Sequence, residues 1–109
     1  MFTTLTPVFV VIRFRVPVWE QAAFESRLAA AVAVLAKQRG FRAAHAGRNV
    51  DDPELLALTM EFADIGSYRR ALSPYEVKLT AVPLLSEAID EPTAYESVDI
   101  GATGPGAAR

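Results

Sequence analysis

The sequence predicts an α+β protein of ferredoxin-like topology, in which helices cover one face of a four-stranded antiparallel sheet. Three observations predict this fold. Residues 8–16 and 55–62 alternate in the way that strands with one buried face do. Apolar side chains at helical spacing predict a helix over residues 18–39, and a helix-start signal predicts another over residues 74–88. With two more strands, the order becomes βαββαβ, which is the split βαβ arrangement.

The first strand and the first helix have well-marked ends. The strand Val8 to Val16 has one wholly apolar face, and Pro17 ends it because proline cannot donate a ladder hydrogen bond. The helix is predicted from Val18 to Arg39, and Gly40 supplies the left-handed residue that often follows a helix. Its apolar spacing is carried by Phe24, Leu28, Val32 and Leu35.

The second and third strands form a predicted hairpin. Phe41 to Arg48 is an alanine-rich strand whose alternation would place Phe41 and His45 on the same face. Turn-forming residues at 49–53 connect it to the strand Leu55 to Phe62.

The second half of the chain predicts two helical segments and a last strand. Asp64 is expected to cap a short helix that runs through Leu72. The run Ser73-Pro74-Tyr75-Glu76 has the pattern of a capping box, which predicts a helix from Pro74 to Ala88. Pro83 lacks an N–H, so we expect a kink or a brief interruption around Thr80 to Val82. Thr93 to Ile100 alternates as the final strand.

Length and composition limit the possible classes of protein. The chain of 109 residues predicts one domain at 8–100, with an N-terminal extension at 1–7 and a disordered glycine-containing tail at 101–109. Hydrophobic residues make up 51% and charged residues 22%, which is typical of a soluble protein. The net charge is −2 and the basic residues are scattered, so neither a nucleic acid nor a membrane is an expected partner. Without cysteine or a secretory signal, we expect a cytoplasmic protein.

The face of the sheet turned away from the helices still carries apolar side chains. Phe9, Val11 and Leu55 would lie there beside Arg13, Arg15 and Glu61. Such a mixed patch is typical of a partner surface. We therefore expect a homodimer through this sheet face, with Arg13 or Arg15 beside Glu61.

Several segments together resemble a known family. They are Phe41-Arg42 after a glycine, the turn 47–53, and the block 61–64 leading into 68–75. Over about Val8 to Ile100 the chain resembles the antibiotic biosynthesis monooxygenase family of dimeric α+β barrels. The family includes cofactor-independent oxygenases, quinol oxygenases and haem-degrading enzymes. Haem-degrading members carry an iron-binding histidine on the second helix, whereas Tyr68 to Lys78 contains none.

The resemblance implies chemistry without a cofactor. The substrate of such oxygenases is a small aromatic or polyketide-like compound, namely a phenol, a quinol or an anthrone. It loses a proton, and its anion passes an electron to dioxygen. The protein then needs a dry pocket, a base and hydrogen-bond donors. His45 is the first candidate base because imidazole exchanges protons near neutral pH. Tyr68 and Tyr75, seven residues apart, are candidate catalytic donors.

The remaining candidates would contact the substrate. They are Trp19 for stacking, Arg69 or its neighbour Arg70 for an oxyanion, and Asn49 as a residue type found in such sites. Most of these candidates also have a structural interpretation: a hydrogen-bonded strand histidine, tyrosines that anchor a helix, a solvated arginine face, and a tryptophan that covers the core. One histidine and no cysteine predict no metal site.

Two other functions stay open at this stage. The same cavity could hold a hydrophobic metabolite without catalysis, in a dimeric binding module. A polyketide cyclase or isomerase on the same scaffold would convert its substrate without consuming oxygen.

Overall fold

The computed structural model describes residues 5–101, and their topology confirms the predicted fold. Four strands form one sheet in the order β2-β3-β1-β4, and all neighbours are antiparallel. The strands are β1 (Val8–Arg15), β2 (Phe41–Arg48), β3 (Leu55–Phe62) and β4 (Ala94–Glu96). A short 3-10 turn (Val18–Glu20) leads into α1 (Gln21–Ala36), followed later by α2 (Ile65–Ala71), α3 (Tyr75–Thr80) and α4 (Val82–Leu85).

The core lies between the helices and the two central strands. Ile12 of β1 lies opposite Leu58 of β3, and Val10 lies opposite Met60. These side chains alternate with more exposed ones, because successive strand residues point to opposite faces. The helices close the core with Leu28, Ala31, Leu35, Val77 and Leu84.

Gly40 joins α1 to β2 in the way that the sequence predicts. Its φ of 90° lies in the left-handed region that favours glycine. A Cβ at this position would also overlap the Ser67 side chain of α2. The Gly40 carbonyl accepts a hydrogen bond from the Ala63 N–H at 2.8 Å, so this turn is held against the end of β3.

The helix ends agree with the predictions only in part. Asp64 caps α2 as predicted, since its carboxylate accepts a hydrogen bond from the Ser67 N–H at 2.7 Å. The predicted capping box is wrong: the Ser73 hydroxyl donates to the Arg70 carbonyl at 2.7 Å and so closes α2. The α3 cap has no side-chain hydrogen bond. The predicted interruption is confirmed, because Ala81 separates α3 from α4.

The last strand is shorter than predicted. β4 pairs with β1 through Ala94–Glu96 only, whereas the alternation extended to Ile100. Residues 1–4 of the predicted extension and 102–109 of the predicted tail lie outside the described part of the chain. Between residues 5 and 101, no helix has both the length and the apolar character to cross a membrane.

The open face of the sheet, turned away from the helices, carries different ion pairs from those predicted. Arg13 contacts Glu91 at 2.7 Å and Arg15 contacts Asp52 at 3.0 Å. Glu61 lies opposite Phe9, near the other end of β1, so the predicted pairing of an arginine with Glu61 is wrong. The register places the charges too far apart along the strands.

Candidate functional site

An irregularity near the start of β2 decides which side chains face the helices. Phe41 lies opposite Phe62, but the next paired residue is Ala43, opposite Glu61, so Arg42 is an extra residue. Such a bulge reverses the alternation beyond it. His45 therefore lies opposite Thr59, on the open face, and the prediction that it faces the helices is wrong.

One cavity lies over β1 and the segment just before β4, and we call it the Tyr68 cavity. It has a volume of about 270 Å³. Its walls are mainly apolar, and Tyr68, Ser86 and Thr93 contribute hydroxyl groups. The apolar lining comes from Ile12, Leu72, Val82, Leu85 and Ala88.

Tyr68 reaches this cavity because the Asp64 cap fixes the first turn of α2. The side chain is only 8% exposed, and its ring packs on Phe62 with 5.2 Å between the centroids. Burial raises the pKa of the Tyr68 phenol, and a hydrogen bond with the Thr93 side chain opposes this only in part. At neutral pH the phenol is therefore protonated and has a hydrogen to donate.

The structure does not bring the other predicted site residues to Tyr68. Tyr75 is 78% exposed on α3 and Trp19 is 81% exposed before α1. Arg69 is exposed on α2. The Asn49 side-chain oxygen accepts hydrogen bonds from the N–H groups of the two residues that follow Val50, both at 2.9 Å, so Asn49 holds the turn.

The second cavity lies between α1 and the outer half of the sheet, and we call it the α1–β2 cleft. Its volume is about 460 Å³. On the sheet side, Ala44 and Ala46 leave space where larger side chains would fill it. The other lining residues are Leu28, Ala29, Val32, His45, Gly47, Leu56 and Leu58, with Glu25 and Arg48 at the polar part.

A buried glutamine holds Arg48 at this cleft. The Arg48 Nε donates to the Gln21 Oε1 at 2.9 Å, and its Nη2 donates to Glu25 at 3.0 Å. The Gln21 Nε2 donates in turn to the carbonyls of Val16 and Pro53 at 3.0 and 2.7 Å. Gln21 therefore has its donors and its acceptor in use.

Sequence reasoning missed this network, although one signal was available. Gln21 precedes Phe24 and Leu28 at the spacing of the buried face of α1, where a polar side chain needs a partner. The partner, Arg48, faces α1 only because of the bulge in β2. Within residues 5–101, no group of three or more histidine, cysteine, aspartate or glutamate residues could hold a metal ion.

Comparison with known families identifies the class of protein. The model of the family Antibiotic biosynthesis monooxygenase matches residues 7–78, which is more than half of the chain. The chain belongs to this family. No curated protein matches the chain.

Solved structures share the fold over nearly their full length. SnoaB, a cofactor-independent oxygenase from Streptomyces nogalater, is 26% identical, with a TM-score of 0.74 and coverage of 86% of this chain and 95% of SnoaB. A conserved protein from Methanosarcina mazei Go1 is 22% identical, with a TM-score of 0.71 and coverage of 87% and 96%. Rv0793 from Mycobacterium tuberculosis is 16% identical, with a TM-score of 0.69 and coverage of 89% and 100%.

Proposed function

We propose that this protein is a cofactor-independent monooxygenase that oxidises a small aromatic or polyketide-like compound in the Tyr68 cavity. The observation that carries the proposal is a buried, protonated phenol that lines an otherwise mainly apolar cavity. The similarity to SnoaB supports the same type of reaction. Phenols, quinols and anthrones are the proposed substrate class.

The Tyr68 hydroxyl would donate a hydrogen bond to the substrate oxygen as negative charge develops on it. This interaction favours the anion, so it lowers the pKa of the bound substrate and makes its proton easier to lose. The apolar walls would keep water away from the anion and strengthen the hydrogen bond. Tyr68 therefore acts as the stabilising donor, and the substrate itself provides the reducing electrons.

The reaction balances without a further reductant for a substrate with an activated CH₂ group, such as an anthrone. The CH₂ group would first lose a proton to solvent water, which later returns one to the peroxide. The anion gives one electron to dioxygen, and the resulting substrate radical and superoxide combine in a new C–O bond. Protonation gives a hydroperoxide, which loses water and leaves a carbonyl. The sum is CH₂ + O₂ → C=O + H₂O, in which carbon is oxidised and dioxygen is reduced.

Oxygen uptake with a panel of anthrones and quinols, in a buffer with chelator and no flavin, tests this proposal. Tyr68→Phe should lower kcat by about 100-fold, the typical loss for one donor to a developing oxyanion. Tyr95→Phe removes a phenol hydroxyl from the open face and should leave the rate unchanged. An equal loss in Tyr75→Phe alone would move the site to α3 instead. No oxygen uptake with any member of the panel would contradict the proposal.

A second candidate is a binding module that holds a hydrophobic metabolite without converting it. One observation favours it: among the described residues, neither a carboxylate nor an imidazole lines the Tyr68 cavity. Binding of panel members without conversion would support this candidate. Conversion without oxygen uptake would point instead to a cyclase or isomerase. The predicted roles of His45, Tyr75, Trp19, Arg69 and Asn49 stay predictions.

The proposal includes a homodimer formed through the open face. Phe9 and Tyr95 stack there with 5.3 Å between the ring centroids and are 40% and 46% exposed. Val11 and Leu55 extend this apolar patch and are half-buried. Exposed apolar patches of this kind are typical of contact surfaces.

Sedimentation equilibrium at micromolar concentration tests the dimer. The parent protein should be dimeric, and Phe9→Asp should be monomeric because it places a charge within the contact. Tyr75→Asp introduces the same charge at a more exposed aromatic residue on α3 and should stay dimeric. A monomeric parent would contradict this part of the proposal.

A cytoplasmic location is also proposed, and cell fractionation tests it.

A further inference from the structure

The α1–β2 cleft lies at the opposite edge of the sheet from the Tyr68 cavity, and the proposed oxygenase reaction does not use it. We propose that this cleft binds an amphipathic carboxylate, such as a medium-chain carboxylic acid. The apolar part of the ligand would lie between α1 and the sheet, and its carboxylate would bind Arg48.

The size and walls of the cleft fit the apolar part of such a ligand. A volume of about 460 Å³ is in the range of small-molecule sites. Leu28 and Val32 of α1 form one wall, and Leu56 and Leu58 of β3 form the floor. The alanines of β2 leave the space between these walls unfilled.

The guanidinium of Arg48 is held in place before any ligand arrives. Gln21 is only 5% exposed, and its amide is fixed by two backbone carbonyls. Its Oε1 accepts from the Arg48 Nε, so the position of the guanidinium is tied to the buried end of α1. A fixed cation loses less conformational freedom on binding an anion.

Donors of Arg48 remain for the ligand. Within residues 5–101, the Arg48 Nη1 makes no hydrogen bond. Glu25 accepts from Nη2 only, and the side chains of this ion pair are about half exposed. Exposed pairs of this kind contribute little, so a ligand carboxylate can replace Glu25 at small cost. Arginine binds carboxylates through parallel N–H donors, which favours a carboxylate over a neutral polar group.

Titration calorimetry with octanoate, octan-1-ol and octylamine tests the proposal. Octanoate should bind, and the alcohol and the amine should bind at least about tenfold more weakly, because each lacks the charge-assisted hydrogen bonds to Arg48. Amide chemical-shift changes should cluster at Leu28, Ala46 and Arg48. Shifts confined to Leu72 and Leu85 would place the ligand in the Tyr68 cavity and overturn the proposal.

Variants separate the effect of charge from the effect of shape. Arg48→Gln should weaken octanoate binding by at least about tenfold, whereas Glu25→Gln should strengthen it because the competing carboxylate is gone. Arg42→Gln makes the same charge change on the same strand and is the matched control, with no expected effect. Ala46→Phe should fill the cleft and abolish binding without changing a charge.

Further results would overturn the proposal. They are equal affinity for octanoate and octan-1-ol, tighter binding of octylamine, and octanoate binding that persists unchanged in Arg48→Gln. Absence of octanoate binding at millimolar concentration would overturn it as well. Oxygen uptake by these variants is a separate measurement, so failure of this proposal and failure of the oxygenase proposal can be told apart.

Discussion

β3 and β2 are neighbouring strands of equal length, yet one forms core and the other borders a cavity. On the side of the helices, β3 presents Leu56, Leu58, Met60 and Phe62, all buried. The residues of β2 opposite the first three are Arg48, Ala46 and Ala44. Side-chain size at paired positions thus decides whether the space beneath α1 is filled. The proposed carboxylate site exists because β2 has alanines where β3 has leucine and methionine.

The largest expected effect comes from reducing a β3 side chain to the size of its β2 neighbour. Met60 has no exposed surface, so Met60→Ala removes buried apolar contacts and leaves a cavity. We expect it to lower the free energy of unfolding by about 2–5 kcal/mol. Urea denaturation followed by circular dichroism measures this loss.

The matched variant on β2 makes the opposite exchange. Ala44→Leu adds side chain toward the open α1–β2 cleft, where space is available. We expect a change below about 1.5 kcal/mol, as for tolerated core exchanges. If the two variants destabilised the protein equally, β2 would be as tightly packed as β3 and the comparison would fail.

The next largest effect concerns the turn that brings the chain from α1 into β2. Gly40→Ala forces a side chain into left-handed backbone and against Ser67. We expect a loss of about 2–4 kcal/mol from the two terms together. Thermal and urea unfolding measure it.

Gly47, within β2, is the control for this substitution. A Cβ there would meet no atom within 4 Å, and its φ is not positive. Gly47→Ala should therefore be neutral or slightly stabilising, since alanine has less freedom in the unfolded chain. A comparable loss in both variants would show that backbone freedom in β2, and not the contact with α2, makes glycine necessary.

The same contrast between β3 and β2 explains what the sequence could predict. The strands β1 and β3 each have one wholly apolar face, so their buried faces and their adjacency in the sheet were predictable, whereas their register was not. Helical spacing after the Asp64 cap also predicted that Tyr68 lies on the apolar side of α2. In β2, alanine and glycine fit either face, so nothing in the residue pattern marks Arg42 as extra. The misplacement of His45 and the omission of Arg48 have this single cause.

The capping box failed for a different physical reason. Ser73 follows α2 closely enough to donate to the Arg70 carbonyl, and in this orientation its hydroxyl oxygen accepts no hydrogen bond from the N–H groups that begin α3. The spacing of residues along the chain does not show whether Ser73 hydrogen-bonds the end of α2 or the start of α3. Ion pairs between distant segments, such as Arg13 with Glu91, depend on the path of the loop before β4. Local sequence patterns therefore could not predict them either.

The smallest expected effect is a dependence of the protein's stability on pH. Its origin lies at the start of α2, which follows β3, and not in β2. The Ser67 N–H lowers the pKa of the Asp64 carboxyl at the start of α2. A lowered pKa in the folded state means that the ionised cap stabilises the fold above the unfolded value, near pH 4. This contribution is lost as the pH falls through the lower folded-state value. Stability should therefore decrease on acidification below about pH 4.

Asp64→Asn tests the assignment, because asparagine also caps helices but does not titrate. Urea midpoints at pH 7 and pH 3 should differ less for Asp64→Asn than for the parent protein. Asp51→Asn, at an exposed turn position before β3, is the control and should keep the parent's pH dependence. An unchanged pH dependence in Asp64→Asn would assign the acid sensitivity to another carboxylate, such as Glu91, whose pKa the Arg13 side chain lowers. In that case the acid-sensitive contact would lie between β1 and the segment before β4, and α2 with Tyr68 would keep its position at low pH.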